Sequence, residues 1–275
     1  MITSRHNQRL KRIRRLRRSK GDLALLEGPH LAAEAAAAGI ALEEVLVAPG
    51  FLEHAAEGRE LRELLAVLPE PPLEVAPELL AELADADAPK GLLAVARLPR
   101  GGVEALRPVR DGVHVFLEGL QDPGNLGAVA RSAEAAGAAG LALSPGCAHP
   151  NHPRALRGSA GSLLRLPVAI GVDADDLDRH LTAQMEQRPR WIALVPRGGE
   201  PLWQADLAGP LVLALGAEGP GLSDALLARA DLRLTVPLAP PVESLTAAVA
   251  AALVLFEIRR RSCMSRGGRP VPGSP

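Results

Sequence analysis

Aromatic residues and cysteines are scarce in this chain of 275 residues. It contains three Phe, two Trp and no Tyr. We therefore expect an aliphatic core, and RNA-recognition modules that stack bases on aromatic rings are disfavoured. The two cysteines, Cys147 and Cys263, are too few for a disulfide framework or a zinc site. The sequence thus indicates a reducing compartment.

Long apolar runs are also missing. No run is long enough to span a bilayer, and the first twenty residues lack the apolar stretch of a secretory signal. Apolar residues make up 47% of the chain and charged residues 23%, which is typical of a globular protein. We expect a soluble, cytoplasmic protein with no membrane partner.

The net charge of −1 conceals a strong asymmetry along the chain. Residues 1–20 carry nine basic side chains and no acidic one, and residues 258–275 carry five arginines and no acid. Residues 21–257 hold 17 basic and 32 acidic side chains. Cationic ends suit a polyanion such as RNA, DNA or an anionic membrane surface. A solvated charge run and a transit peptide are the alternatives.

The alternation of short apolar strands with helical patterns predicts two α/β domains. The first covers residues 1–98, and a Gly- and Pro-rich linker is expected over 99–112. The second, residues 113–262, has continuous apolar strands, which are typical of a largely parallel sheet covered on both faces. Residues 263–275, rich in Arg, Gly, Pro and Ser, predict a disordered tail.

The longest helical patterns predict four helices. In the first domain they cover residues 7–20 and 53–67, and the first of these pairs one apolar edge with a wide basic surface. In the second domain they cover residues 175–187 and 244–261.

Three turns that follow predicted strands of the second domain indicate a ligand site. They lie at residues 118–127, 216–223 and 236–246, and each combines Gly or Pro with one or two polar side chains. Ligands of parallel sheets gather beyond the carboxyl ends of the strands. The dinucleotide fingerprint and the P-loop are both absent from these turns. For any single turn, the alternative is an ordinary Gly- and Pro-containing turn with no ligand.

These turns resemble the three ordered motifs of the SpoU (TrmH-like) branch of the SPOUT RNA methyltransferases. Residues 122–137, which begin Asp-Pro-Gly-Asn-Leu-Gly, are similar to motif 1, and residues 215–223, Leu-Gly-Ala-Glu-Gly-Pro-Gly-Leu-Ser, are similar to motif 2. Val-Pro-Leu at 236–238 and Glu-Ser-Leu-Thr at 243–246 are similar to motif 3.

The resemblance extends beyond the three motifs. Residues 144–148 and 154–161 match the segment that this family carries between motifs 1 and 2. Residues 2–11 are similar, more loosely, to the substrate-binding domain that many members place before the catalytic one. The basic start of the chain is then part of an RNA-binding domain.

The resemblance implies an S-adenosylmethionine-dependent RNA 2′-O-ribose methyltransferase, with 23S ribosomal RNA as the expected substrate rather than transfer RNA. It also implies a homodimer with the active site near the subunit interface. The implied fold is a C-terminal parallel-sheet domain with a trefoil knot, preceded by a small α/β RNA-binding domain. General topology rules would not have predicted the knot.

The family motifs assign roles to particular positions. The catalytic residues so implied are Arg131, Asn125, Glu218 and Ser244. The cofactor contacts so implied are Gly216, Ala217, Val236, Leu238 and Leu245. As contacts to RNA phosphates we expect Arg5, Arg9, Lys11, Arg154, Arg157 and Ser159.

The chemistry of arginine and histidine limits the roles of three side chains, Arg131, His149 and His152. A guanidinium essentially never loses its proton, so we expect Arg131 to position phosphate and to stabilise developing negative charge rather than to act as a base. His149 and His152 have a spacing that invites a metal, but no third ligand accompanies them, and we predict no metal site.

The sequence departs from the family pattern at two positions. Thr246 stands where motif 3 usually has asparagine, and Ala217 stands where many members have asparagine. A hydroxyl offers one donor where an amide offers two donors and an acceptor. The alternative function is therefore a non-catalytic RNA-binding or ribosome-assembly protein that keeps the methyltransferase fold.

Overall fold

The computed structural model of the chain describes residues 1–16, 21–51, 68, 70–84 and 91–265. Its helices and strands follow in this order: α1 Gln8–Leu16, β1 Leu23–Glu27, α2 Pro29–Ala37, β2 Leu42–Val47, β3 Leu73–Glu74, α3 Pro77–Leu83, β4 Leu92–Arg97, the 3₁₀ turn Val103–Ala105, β5 Val113–Glu118, α4 Pro123–Ala136, β6 Gly140–Leu143, α5 Pro153–Ser159, α6 Ser162–Arg165, β7 Val168–Ile170, α7 Ala174–Thr182, β8 Arg190–Leu194, β9 Glu200–Pro201, β10 Leu211–Gly216, α8 Asp224–Arg229, β11 Leu232–Thr235 and α9 Ala247–Ser265.

The chain forms two compact units that differ from the predicted domains. The first unit joins residues 1–100 to residues 148–165, and the second joins residues 101–147 to the chain from residue 166 onward. Residues 148–165 were expected in the second domain, but α5 packs on β1. The predicted linker lies from Gly101 onward in the second unit, because Leu106 is buried in that unit's core.

The first unit is built on a four-stranded sheet with the order β1-β4-β2-β3. β4 runs antiparallel to both β1 and β2, whereas β2 and β3 are parallel. The apolar edge predicted for α1 packs into the core, where Leu10 and Ile13 are fully buried beside Leu25, Leu46 and Leu80. Burial of that edge fixes α1 to the sheet and leaves its basic residues facing outward.

The second unit contains a seven-stranded sheet with the order β7-β6-β5-β10-β8-β11-β9. Every neighbouring pair is parallel, so the predicted parallel sheet is confirmed. The central strands β5 and β10 each have five consecutive buried residues. Such continuous burial is expected for strands that are covered on both faces.

Different helices cover the two faces of this sheet. On one face, Phe116 and Trp191 meet edge to face with their ring centroids 5.5 Å apart, and Leu177 of α7 and Leu226 of α8 join them. Side chains alternate along a strand, so the neighbouring residues point to the other face. There α4 contacts β6 and α9 contacts β10, and the two helices also pack on each other.

Local capping explains where α4 begins and ends. Asp122 accepts a hydrogen bond from the backbone amide of Asn125, and Pro123 occupies the first turn, where no amide hydrogen is needed. The helix ends at Gly137, which has a φ of 80°, a conformation that glycine adopts at little cost. α4 therefore starts within the first of the predicted ligand-site turns, residues 118–127.

Several predicted elements differ from the observed ones. α7 ends at Thr182 instead of residue 187, and α9 begins three residues later than expected. α9 continues through residues 263–265, which were predicted as tail, while residues 17–20, 52–67 and 266–275 lie outside the described part of the chain. Among the described residues, no helix is both long enough and apolar enough to cross a membrane.

Candidate functional site

The three predicted turns start at the carboxyl edge of the seven-stranded sheet. β5 and β10 are adjacent, and their last residues, Glu118 and Gly216, are paired in register. β11 is separated from β10 by β8 alone. The first two turns therefore begin side by side, and the third begins at the same edge two strands away.

A cavity of about 520 Å³ opens at this edge, which is the size of a small-molecule site. The end of β8 and the second and third turns form its walls, chiefly with aliphatic side chains and backbone. The predicted catalytic and cofactor residues that line it are Gly216, Ala217, Glu218, Val236, Leu238, Ser244 and Leu245. All the predicted cofactor contacts thus lie together around one cavity.

The second turn requires glycine where it leaves β10. A Cβ atom on Gly216 would lie 2.1 Å from the carbonyl carbon of Gly221, far closer than any side chain tolerates. The turn is closed by a hydrogen bond of 3.0 Å from the amide of Gly221 to the carbonyl of Ala217. The backbone therefore folds tightly back on itself at the cavity wall.

Two side-chain contacts join the first turn to the second. The Asn125 amide nitrogen donates to Glu218 Oε1 at 2.5 Å. Glu118 accepts hydrogen bonds of 2.7 Å from both the amide nitrogen and the hydroxyl of Ser223. Because Ser223 also caps α8, these contacts fix the second turn at both of its ends.

The sequence of this chain is similar to known proteins over most of its length. The chain matches the SpoU rRNA Methylase family over residues 112–256 and the MRM3-like substrate binding domain over residues 7–94. A protein of Synechocystis named as a tRNA/rRNA methyltransferase is 34% identical over 264 residues, which are 94% of this chain and 93% of that protein. This chain belongs to the SpoU rRNA methylase family.

Other relatives and solved structures agree with that membership. The Bacillus subtilis 23S rRNA guanosine 2′-O-methyltransferase RlmP is 28% identical over 94% of this chain and 98% of its own length. The crystal structure of the SpoU methyltransferase AviRb from Streptomyces viridochromogenes with AdoMet has a TM-score of 0.84. It is 26% identical and covers 96% of this chain and 100% of its own.

Arg131 lies apart from the cavity in this SpoU family member. It is exposed on α4 and, among the described residues, makes no hydrogen bond or ion pair. Asn125, in the first turn of the same helix, reaches the cavity through its contact with Glu218. The structure thus brings together three of the four predicted catalytic residues.

Thr246 caps the N-terminus of α9. Its hydroxyl oxygen accepts a hydrogen bond of 3.5 Å from the amide of Val249, and its carbonyl accepts one of 3.0 Å from Ala250. Thr246 also lines the cavity. Asparagine and threonine both serve as N-caps, with asparagine slightly preferred. The departure from the family pattern therefore preserves the backbone role of this position.

The predicted RNA contacts at the start of the chain face acidic residues of their own unit. Arg5 pairs with Glu82, and Arg9 lies 3.7 Å from Glu44 and 3.6 Å from Glu70. Arg12 and Arg14 are paired with glutamates in the same way. Lys11 is exposed and, within the described ranges, has no such partner. Much of the basic charge of α1 is therefore locally balanced.

The predicted contacts on α5 fall into two groups. Arg154 and Arg157 are exposed, and Arg157 pairs with Glu27 of β1 at 2.8 Å. Ser159 is fully buried. Its hydroxyl donates to the carbonyl of Leu156 at 2.8 Å and accepts from the amide of Leu163. The expectation that Ser159 contacts phosphate is corrected accordingly: this hydroxyl joins α5 to α6.

His149 and His152 have local roles in the same segment. The His149 Nδ1 atom accepts from the amide of Asn151, and His152 Nδ1 accepts from the amide of Arg154 at the start of α5. Across the part of the chain that the structure describes, no three His, Cys, Asp or Glu side chains lie close enough together to hold a metal ion.

Sequence reasoning missed Glu118 as a site residue. It is the last residue of β5 and the first of the motif 1 turn, and its carboxylate holds the motif 2 turn through Ser223. An acidic residue at the end of a largely apolar strand was the available signal. Its partner could not be read from the sequence, because Ser223 lies 105 residues away.

Proposed function

We propose that this SpoU family member is an S-adenosylmethionine-dependent 2′-O-ribose methyltransferase of 23S ribosomal RNA that acts in the cytoplasm as a homodimer. The observation that carries the proposal is the cavity at the carboxyl edge of the sheet, around which the motif 2 and motif 3 residues gather. The naming of RlmP as a 23S rRNA 2′-O-methyltransferase supports the substrate, and the AdoMet complex of AviRb supports the cofactor.

The residues around the cavity fit S-adenosylmethionine. Leu215, Val236 and Leu238 form aliphatic walls that suit a purine ring. The tight backbone turn from Gly216 exposes peptide groups that suit polar atoms of the cofactor. When bound, the cofactor supplies an electrophilic methyl group on its sulfonium sulfur.

The chain's own residues must hold and activate the ribose hydroxyl. This hydroxyl is a weak nucleophile, so orientation and stabilisation of the charge that develops on its oxygen lower the barrier. Glu218 is fixed by Asn125 at the cavity wall, where together they orient the polar groups of the site. Arg131 contributes a permanent positive charge for the ribose oxygen or its neighbouring phosphate.

An apolar stripe on α9 supports the homodimer. Val249, Leu253 and Phe256 follow the spacing of one helix face and are 48%, 38% and 47% exposed. Contiguous exposed apolar surface of this kind marks protein interfaces. Because α9 packs on α4, a dimer formed through this stripe would have Arg131 close to its interface.

The decisive test of the function is the substitution Arg131→Ala. We expect methyl transfer to 23S ribosomal RNA to fall roughly 10²–10³-fold, the usual effect of removing one group that stabilises transition-state charge. Affinity for S-adenosylmethionine should stay unchanged, since Arg131 does not line the cavity. Tritiated methyl incorporation and calorimetric titration of the cofactor measure the two effects.

Arg110→Ala is the matched control, because Arg110 is also an exposed arginine of the second unit. It should retain wild-type transfer and wild-type cofactor affinity. Full activity of Arg131→Ala, or a wild-type protein that binds no cofactor, would contradict the proposed function.

A further inference from the structure

Residues 148–165, which lie between motifs 1 and 2, belong to the first unit and contact it at both ends of β1. At the end of β1, Glu27 pairs with Arg157 of α5. Just before its start, the carbonyl of Gly21 accepts from the side chain of Asn151 at 3.2 Å. A further ion pair joins Arg165 of α6 to Glu34 of α2. The exposed arginines of α5 are thereby held rigidly beside this sheet.

Asn151 is the hub of this attachment. Its side chain is 2% exposed and uses both of its functional groups. The amide nitrogen donates to the carbonyls of Leu98 at 2.8 Å and Gly21, and the amide oxygen accepts from Arg100 Nε at 2.9 Å. A buried polar side chain with three hydrogen bonds fixes the turn that precedes α5.

Arg100 extends the hub to the far end of the segment. A second nitrogen of its guanidinium donates to the carbonyl of Leu163 in α6 at 2.9 Å. Among the described residues, no carboxylate pairs with Arg100, and burial lowers the pKa of its guanidinium to about 10. Placing a charge in a poorly solvated site without an acidic partner is costly for folding.

A hydrophobic residue of similar volume would avoid that cost, but it would leave the Asn151 carboxamide oxygen and the Leu163 carbonyl without this donor. Arg100 contacts two neutral acceptors. Asn151 precedes α5 in the chain and Leu163 follows it. The planar guanidinium, with its fixed fork of donors, is suited to hold two acceptors at a set separation. The arginine therefore holds the residues before and after α5 at a set separation.

We propose that Arg100 and Asn151 are positioning residues for RNA recognition, because they clamp both ends of the segment that presents Arg154 and Arg157. This inference rests on the proposed function and deepens it. It makes residues 148–165 a part of the substrate-binding unit, whereas the cofactor cavity is formed entirely by residues of the second unit. RNA affinity and cofactor affinity should therefore respond separately to changes at the clamp.

The test compares Arg100→Met and Arg100→Lys with wild type, using in vitro transcribed, unmodified 23S ribosomal RNA. We expect Arg100→Met to raise both the KM and the Kd for RNA about tenfold, the size of one lost hydrogen bond to a charged group. The kcat at saturating RNA and the Kd for S-adenosylmethionine should not change. Arg100→Lys, which keeps the charge but loses the fork, should give an intermediate KM.

A merely structural role makes a different prediction. It would lower the thermal midpoint of Arg100→Met and weaken binding of RNA and of S-adenosylmethionine together, whereas a positioning role should weaken binding of RNA alone at temperatures well below that midpoint. Arg110→Met, at an exposed arginine outside the clamp, is the matched control and should leave the KM and Kd for RNA, the kcat, the Kd for S-adenosylmethionine and the thermal midpoint unchanged.

The outcomes separate the inference from the proposed function. If wild type methylates the RNA and the Arg100 variants bind it with unchanged affinity, the inference is overturned and the function stands. An unchanged KM with a lower kcat also overturns it. A wild-type protein that binds S-adenosylmethionine but neither binds nor methylates the RNA overturns the proposed substrate and this inference together. A tenfold rise in both the KM and the Kd for RNA, with the kcat and the cofactor affinity unchanged, supports both.

Discussion

At the scale of single residues, the site depends on a few contacts between groups that are far apart in the sequence. Asn125 and Glu218 are 93 residues apart, and Glu118 and Ser223 are 105 residues apart. Each contact joins the turn that follows β5 to the turn that follows β10. The motif residues thus hold one another in place before any ligand binds, which is the preorganisation that a binding site needs.

Glu118 allows this idea to be tested. In Glu118→Gln the side chain keeps one oxygen, so only one of the two hydrogen bonds from Ser223 can persist. We expect affinity for S-adenosylmethionine to fall about fivefold, since a partly exposed hydrogen bond contributes on the order of 1 kcal/mol. Calorimetric titration measures the effect, and Glu186→Gln, at an exposed acid of the same unit, is the control. Equal affinities of Glu118→Gln and wild type would remove Glu118 from the site.

At the scale of helices and strands, local sequence patterns were sufficient to predict the elements whose burial is periodic. The helices α1 and α7 begin within one residue of their predicted starts at residues 7 and 175, because each has a clear amphipathic pattern, and the apolar runs of the second domain form the predicted parallel sheet. α5 and α6 had no such signal. They are short, Gly158 lies within α5, and Gly161 lies between the two helices. Their ion pairs with β1 and α2 are contacts that no local pattern reveals.

The start of α9 shows how an element and a site share one residue. Thr246 caps the helix and lines the cavity. Thr246→Ala should lower the free energy of unfolding by about 1 kcal/mol, the usual cost of a lost N-cap, and should also weaken cofactor binding. Thr246→Asn should keep the stability and change turnover only slightly. Denaturant unfolding and methyl incorporation check both variants, and restored activity in Thr246→Asn from an inactive wild type would favour the non-catalytic alternative.

At the scale of the whole molecule, the division into units could not be predicted from the sequence. Composition and Gly-Pro content placed a boundary near residues 99–112, but they carry no information about which later segment returns to the first unit. Asn151 contacts the carbonyl of Leu98 across 53 residues, and Arg157 contacts Glu27 across 130. Such distant contacts decide that residues 148–165 belong with the substrate-binding unit. The trefoil knot implied by the family resemblance stays a prediction.

The last prediction concerns assembly. Phe256 is exposed at the centre of α9, on the same face as Leu253 and Val249, so Phe256→Glu should place a charge in the dimer interface without disturbing the core. We expect light scattering to show a dimer for wild type and a monomer for Phe256→Glu. The control Ala225→Glu, at an exposed position of α8, should remain dimeric.

The monomer should also lose most methyl transfer, because a dimer through this stripe would have Arg131 close to its interface. Cofactor binding depends on residues of one chain and should persist in part. A monomeric wild type with full activity would show that one chain suffices, and the apolar stripe would then need another partner.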